Sequence, residues 1–312
     1  MANLEKLQKT ANKLLLMNET TAIRELAGNY MSAANAIRDE LAKLYERYAV
    51  GGKLTHAEMT KYNRLLSLEK QIREVAMPHV LANNRLLDRL ARVQYEEAFY
   101  RHAWAIDNAV GMRMRWGLLS PDQVKAAVEN ELRHLAKRRL ADETLLRVRR
   151  AVAQGVIRGT SMRGMMRDIR DVMEVSNSDA MRIARTEAHR AREQGHKAAS
   201  DRANDLGVLV TRVWIASLDD RTRSSHARLD GRPESEWRLG GIKPEYPGDP
   251  ALPAEESINC RCDTYDKVRG YEPEVRRARD KGVEPYQDFE TWADSRGVTA
   301  SRYGEQYNFT AA

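Results

Sequence analysis

Residues 207–215, G-V-L-V-T-R-V-W-I, decide the fold, because there the chain stops reading as helix and begins to read as sheet. β-Branched and aromatic side chains run together over 208–215, a composition suited to a pleated, half-buried surface. Upstream, apolar residues recur with the helical period. Downstream, turns and short elements up to about Arg269 hold five of the nine prolines. The expected fold class is therefore α+β: a long, mainly helical N-terminal region followed by a small mixed α/β domain with a short sheet. The expected boundaries are 1–148 for the helical region, 149–268 for the small domain and 269–312 for a C-terminal tail of mixed charge, which reads as loosely packed.

Working back from the strand, residues 151–204 predict several shorter helices. Gly155 and Gly159 bracket a turn, and Met162, Met166, Ile169 and Met173 mark one apolar face. Ser178 is placed to cap a following helix that carries Ala184, Arg185, Thr186 and Glu187. His189 and His196, seven residues apart and so on one helical face, read as surface residues. Nearer the N-terminus, Ile37, Leu41, Leu44, Tyr45 and Tyr48 form one stripe that Gly51 and Gly52 stop. Thr55 with Glu58 reads as a capping box opening a helix with Leu65, Leu66, Leu68 and Ile72, so the two helices form an antiparallel hairpin. A further helix is expected from about Asn83 to Trp116, and Ser120-Pro121-Asp122-Gln123 restarts another. The helical spacing of Tyr95, Phe99, Tyr100 and Trp104 predicts packing rather than base stacking, which favours sheets.

Length and composition narrow the function. The chain has 312 residues, enough for two modest domains, with 31% charged residues and a mean hydropathy of −0.66. No run approaches the roughly 18 to 20 apolar residues of a bilayer span, and the start M-A-N-L-E-K-L-Q-K-T lacks a signal-peptide core. The expectation is a soluble protein retained inside the cell that makes it. The formal charge of +7 is concentrated: residues 133–170 hold eleven Arg or Lys against three acids, a local +8. Such a stretch attracts a polyanion through counterion release or meets an acidic protein, unless it is only a solvated helix face. Arg138, Arg139, Arg149 and Arg150 are the candidate contacts.

Polar chemistry gathers after the strand. Asp219 and Asp220 follow it directly, His226 comes six residues later, and Cys260-x-Cys262 supplies the only two cysteines. One intervening residue disfavours a relaxed disulfide. Two thiolates and an imidazole make three of the four positions of a tetrahedral zinc site, with Asp219, Asp220, Asp249 or water as the fourth. The alternatives are a pair of small buried cysteines beside a structural histidine, or a Cys–His nucleophilic couple.

Three blocks together carry a resemblance: I-A-R-T-E at residues 183–187, W-x-x-x-x-D-D-R-T-R-x-x-H-x-x-L-D-G at 214–231, and I-N-C-R-C at 258–262. They resemble, in order and at plausible spacing, the Mu F-like minor head proteins of tailed bacteriophages, also called head morphogenesis proteins. The similarity covers roughly residues 150–265, making 149–268 the Mu F-like domain and 1–148 a region for portal or capsid interaction. The resemblance implies a protein in few copies per particle, inside the procapsid at the portal vertex, with a part in head assembly and DNA packaging or delivery. It implies the portal protein as partner, with phage DNA and scaffold or major capsid protein as further partners. It also implies location in the virion head, host cytoplasm during assembly, and no membrane. It marks Arg185, Thr186, Glu187, Asp219, Asp220, Arg221, Thr222, His226, Asp230, Gly231, Asn259, Cys260 and Cys262 as a shared site without assigned catalytic roles. The competing expectation is a metal-dependent hydrolase or nuclease built on His226, Cys260, Cys262 and the aspartates.

Overall fold

The computed structural model describes residues 4–129, 131–217, 221–269, 298–303 and 306–311. Six helices come first: α1 Leu4–Tyr48, α2 His56–Thr60, α3 Arg64–Val110, α4 Pro121–Val128, α5 Glu131–Ile157 and α6 Met162–Asp205. Strand β1 Val210–Ile215, two single-turn helices, α7 Ser224–Ala227 and α8 Ala254–Ser257, and strand β2 Asp263–Val268 complete the part that builds the site. Strands β3 Val298–Tyr303 and β4 Gln306–Ala311 pair with each other as an antiparallel hairpin. The architecture is thus α+β, with a long helical region and a small sheet. Among the described residues no helix is long and apolar enough to cross a membrane.

The chain forms two compact units, each assembled from separated stretches: residues 1–20, 89–129 and 185–312, and residues 21–88 and 130–184. The second unit packs Tyr30, Ile37, Leu41, Leu68 and Ile72 with Leu140, Val148, Val152, Val156, Met165 and Ile169. Gly155 is a close-approach residue, since a Cβ there would lie 2.5 Å from Met165 Cε. The turn itself belongs to Gly159, with φ +60. The first unit packs Phe99, Tyr100, Ala103, Trp104, Ile106 and Trp116 with Ala199, Ala203, Val210 and Val268. The aromatics of this stretch are core residues, as their spacing predicts.

Three helix boundaries differ from expectation. No break occurs near Asn83: α3 continues through Pro78, because Ala76 and Val80 bury the same face on either side of it. That burial outweighs the cost of about 3 kcal/mol for an interior proline. No new helix begins at Ser178, which lies exposed within α6, while Met173, Ala180 and Ala184 keep one buried stripe running beneath it. The helix expected to reach Trp116 stops at Val110, where Gly111 adopts φ +67. Asp107 Oδ1 then accepts from Met114 N–H at 3.2 Å and Trp116 Nε1–H at 2.9 Å, folding the chain back. The Thr55 cap is half of a box. Its hydroxyl accepts Glu58 N–H at 3.3 Å, but the Glu58 carboxylate pairs with Lys61 and Arg64, and α2 ends after five residues. At α4 both halves are present, between Ser120 and Gln123.

β1 pairs antiparallel with β2 in the register Val210↔Val268 to Ile215↔Asp263. The stretch that becomes β2, D-T-Y-D-K-V, reads as polar turn in isolation. Alternate residues Thr264, Asp266 and Val268 are nonetheless buried, and the two polar ones find partners inside.

Candidate functional site

The site begins at the C-terminal end of β1. Trp214 exchanges backbone hydrogen bonds with the returning chain, donating to Arg232 O and accepting from Gly231 N–H, each at 2.9 Å. Asp230 Oδ1 accepts Ala216 N–H at 2.9 Å. Asp230 and Gly231, the latter at φ +71, thus fasten the intervening loop to the strand. This places α7, and with it His226, edge-on against the Trp214 ring, with centroids 5.7 Å apart. From the other side, α8 leads into I-N-C-R-C. Asn259 takes a left-handed conformation, φ 55, which Asn tolerates better than most residues. Its N–H donates to Thr186 Oγ1 of α6 at 3.3 Å. Cys260 and Cys262 then turn into a small core of Trp214, Ala216, Leu229, Trp237, Leu239 and Leu252.

The three potential ligand atoms converge, all within 4.8 Å of one another. His226 Nδ1 lies 3.2 Å from Cys262 Sγ and 3.6 Å from Cys260 Sγ. On the opposite edge of the ring, Nε2 lies 2.9 Å from Glu256 Oε2, which also accepts from Ser225 Oγ at 3.0 Å. A carboxylate there accepts a hydrogen bond from Nε2–H, so in the neutral ring Nδ1 presents its lone pair to the sulfurs. A hydrogen bond from the Cys260 thiol, outweighing burial, draws the Cys262 thiol well below its ordinary range. The same bond and burial push Cys260 well above it. One thiolate is therefore ready without a metal, and a soft cation would deprotonate the second. Cys260, Cys262 and His226 are 4%, 3% and 1% exposed. Such burial suits a closed structural centre, whereas a nucleophile needs approach for its substrate.

The other expected site residues fall into separate roles. Asp219 and Asp220 lie outside the described residues. Asp249 organises its loop, its two oxygens accepting Glu245 N–H and Ala251 N–H at 2.8 Å each. Glu187 pairs with Arg190 at 2.5 Å. Arg190 in turn donates to Gly248 O at 3.0 Å and Ser257 Oγ at 3.1 Å, holding the loop before the cysteines against α6. Arg185 and Arg221 are exposed and Thr222 is half-buried. His189 and His196, expected at the surface, are instead buried. They lie on the face by which α6 meets the Gly248 loop and the start of β2, a contact that helical periodicity cannot reveal. Arg138, Arg139, Arg149 and Arg150 are all exposed. Arg139 pairs with Glu143 and Arg149 with Glu69, while Lys137 is buried against Asp88. Glu69 and Asp88, acids beyond the basic stretch, therefore neutralise part of its charge.

Sequence reasoning missed Glu256, although it lies four residues before Cys260. It also missed a polar group, buried except for the half-buried Asp263: Glu193, His196, Asp263, His102, Ser200 and Asp266. Asp266 accepts from Ser200 at 3.0 Å and meets His102 at 2.5 Å. The His102 ring stacks on His196 with centroids 4.6 Å apart. Burial, reinforced by the charge of Asp263, pushes Glu193 well above the usual carboxylate range. The Glu193-x-x-His196 spacing was the available signal.

The family model for Phage Mu protein F like protein matches residues 147–265. Over 289 residues the chain is 30% identical to the minor head protein GP7 of Bacillus phage SPP1, a match covering 89% of this chain and 91% of GP7. Over 318 residues it is 25% identical to the NAD(+)–arginine ADP-ribosyltransferase EFV of Enterococcus faecalis, covering 99% of this chain and 64% of that protein. An uncharacterized protein of Haemophilus influenzae is 29% identical over 123 residues, 39% of this chain and 25% of its own length. No solved structure matches.

Proposed function

The chain belongs to the Mu F-like minor head proteins, and from that premise we propose that it acts inside the assembling head of a tailed bacteriophage, at the portal vertex. There it contributes to head assembly and to DNA packaging or delivery. The observation that carries this reading is the match to GP7, which spans nearly the whole of both chains rather than the shared domain alone. Its partners are the portal protein and, through the exposed Arg138 and Arg150, DNA or an acidic protein surface; scaffold or major capsid protein is a further neighbour. The protein meets them in the host cytoplasm during assembly and remains in the virion head.

The cluster of His226, Cys260 and Cys262 fits a structural zinc. Its three donors are two sulfurs and one imidazole nitrogen, the second imidazole nitrogen is held by a carboxylate, and all three side chains are buried. Bound there, zinc would tie α7 to the segment entering β2. The same donors support the competing reading, a metal-dependent hydrolase or nuclease, but that reading needs an open coordination position and a general base beside it. Protein that retains zinc and shows no nuclease turnover excludes it.

Reconstruction of procapsids without imposed symmetry tests the placement. The expected result is density for the chain at the portal vertex, lost when its gene is deleted. Copies spread evenly over the shell, with none at that vertex, would overturn it.

A further inference from the structure

The side chains that build the thiolate cluster leave a second buried group unused, on α6 and at the first residue of β2. Glu193 and His196 are three apart on α6 and so lie on one face. His196 Nδ1 is 3.7 Å from Glu193 Oε1 and 3.8 Å from Asp263 Oδ1. All three ligand atoms lie within 4.8 Å of one another. Glu193 is wholly buried and His196 is 2% exposed, yet Glu193 Oε1 and His196 Nδ1 have no hydrogen-bond partner. Orphaned polar atoms at such depth are rare, and two of them facing one point indicate a missing ligand.

Their surroundings hold the carboxylates in place without using the two orphaned atoms, while Asp263 Oδ1 accepts Thr264 N–H at 2.8 Å and keeps a second lone pair. Glu193 Oε2 accepts the Thr264 hydroxyl at 3.1 Å, and Asp263 Oδ2 accepts from Asn12 Nδ2. Three carboxylates, Glu19, Glu193 and Asp263, stand near one guanidinium, Arg192, whose nitrogens are 3.6 Å from Glu193 Oε1 and 4.0 Å from Glu19 Oε2. The Asp263 side chain is 26% exposed, which gives an ion a way in and leaves positions for water.

We propose that Glu193, His196 and Asp263 form a second divalent-cation site, separate from the thiolate cluster and independent of the zinc reading. An ion equidistant from three atoms so spaced stands about 2.2 to 2.4 Å from each, near the length of a first-row metal bond to nitrogen or oxygen. Two carboxylate oxygens, one imidazole nitrogen and no sulfur suit manganese(II), a cation that thiolates do not select. The ion would bind α6 to the first residue of β2.

Full-length protein is stripped with chelator, dialysed and titrated with Mn(II), free ion being followed by electron paramagnetic resonance. The expected result is one bound ion per chain, with pulsed spectra showing nitrogen coupling from a directly bound imidazole. Glu193→Gln keeps the shape of the side chain and the bond from Thr264, so it is expected to fold, with affinity at least tenfold weaker. Asp263→Asn gives the same loss by a separate route, while Cys260→Ser leaves Mn(II) binding unchanged. Absence of binding by the wild type at micromolar protein overturns the proposal. So does loss of binding in Cys260→Ser with full binding in Glu193→Gln, which would place the ion on the thiolates.

Discussion

Replacing Glu256 by Gln tests the assignment of the two His226 nitrogens more sharply than removing a cysteine would. In the structure Glu256 Oε2 lies 2.9 Å from His226 Nε2, placed to accept its N–H, and accepts the Ser225 hydroxyl at 3.0 Å. Its charge favours a ring that is protonated at Nε2 and basic at Nδ1, the nitrogen facing both sulfurs. Gln retains an acceptor of the same shape and loses the charge. The side chain is 16% exposed, so little packing changes. Loss of a carboxylate that orients a ligating histidine commonly costs 10- to 100-fold in metal affinity, or about 1.4 to 2.7 kcal/mol. We expect about tenfold weaker zinc for Glu256→Gln, since the hydrogen bond survives, and a larger loss for Glu256→Ala. Competition against a chromophoric chelator measures it, and melting of the metal-free proteins should differ little between wild type and Glu256→Gln. Zinc held as tightly by Glu256→Gln as by wild type, with Cys262→Ser losing it, would show that Nδ1 does not face the metal.

Gly195→Ala should destabilise the unit that contains it by up to about 2 kcal/mol in urea unfolding. The new Cβ would lie 2.4 Å from Tyr95 O and 2.9 Å from Ala98 Cβ, an overpacking of about 1 to 3 kcal/mol against a helix-propensity gain of about 1 kcal/mol; a stabilised variant would disprove the close approach of α6 to α3. Burial raises Glu96 to about 7, so the folded state keeps a proton that the unfolded chain has lost. That contribution is complete below about pH 4.5 and fades as the pH rises to about 7, so Glu96→Gln should gain about 1 to 2 kcal/mol over wild type between pH 5 and pH 8, after discounting for its partial exposure. Equal melting differences at the two pH values would refute this. If the basic stretch meets DNA phosphates, substituting Arg138 and Arg150 by Gln should flatten log affinity against log salt by about 1.8 units. Adding Arg139 and Arg149, already paired with Glu143 and Glu69, should flatten it by less than a further 1.8. Unchanged DNA binding with lost incorporation into procapsids would assign these arginines to the portal.

What the sequence made legible follows the range of the interactions involved. The strand at 210–215, the Ser120 cap and the Gly159 turn depend on neighbours a few residues away, and their residue types announce them. Helix continuity through Pro78 and Ser178 was illegible because it rests on buried faces that pack against distant segments and override a local stop signal. β2 was illegible for the same reason. Asp266 and Thr264 read as turn residues until Ser200 and Glu193 supply partners 66 and 71 positions away. At the site, the conjunction of His226 with the two cysteines was visible as a pattern of ligand types. The roles of Glu256 and of Glu193 with His196 were not, because an acidic residue on an exposed turn and one in a buried face look alike in sequence.

The family's polar blocks make physical sense once their residues are sorted by what they bond. Asp230 accepts a strand N–H, Gly231 supplies a left-handed turn, Asn259 turns the chain and donates to Thr186, and Glu187 pairs with Arg190. These residues close loops onto β1 and α6. Among the described residues of these blocks, only His226, Cys260 and Cys262 converge side chain to side chain on one point. The cluster beneath them is small: two tryptophans, three leucines, an alanine and the cysteines themselves. An apolar core of that size holds long loops weakly, because each ordered residue costs about 1 to 2 kcal/mol of backbone entropy. Small units in this position commonly add a cross-link. A disulfide across one intervening residue is cramped, whereas a metal accepts two sulfurs and a nitrogen drawn from two separate stretches of chain. Loops that carry their polar residues inward to backbone partners, around a core too small to order them, are the setting in which a structural metal contributes most of the local stability.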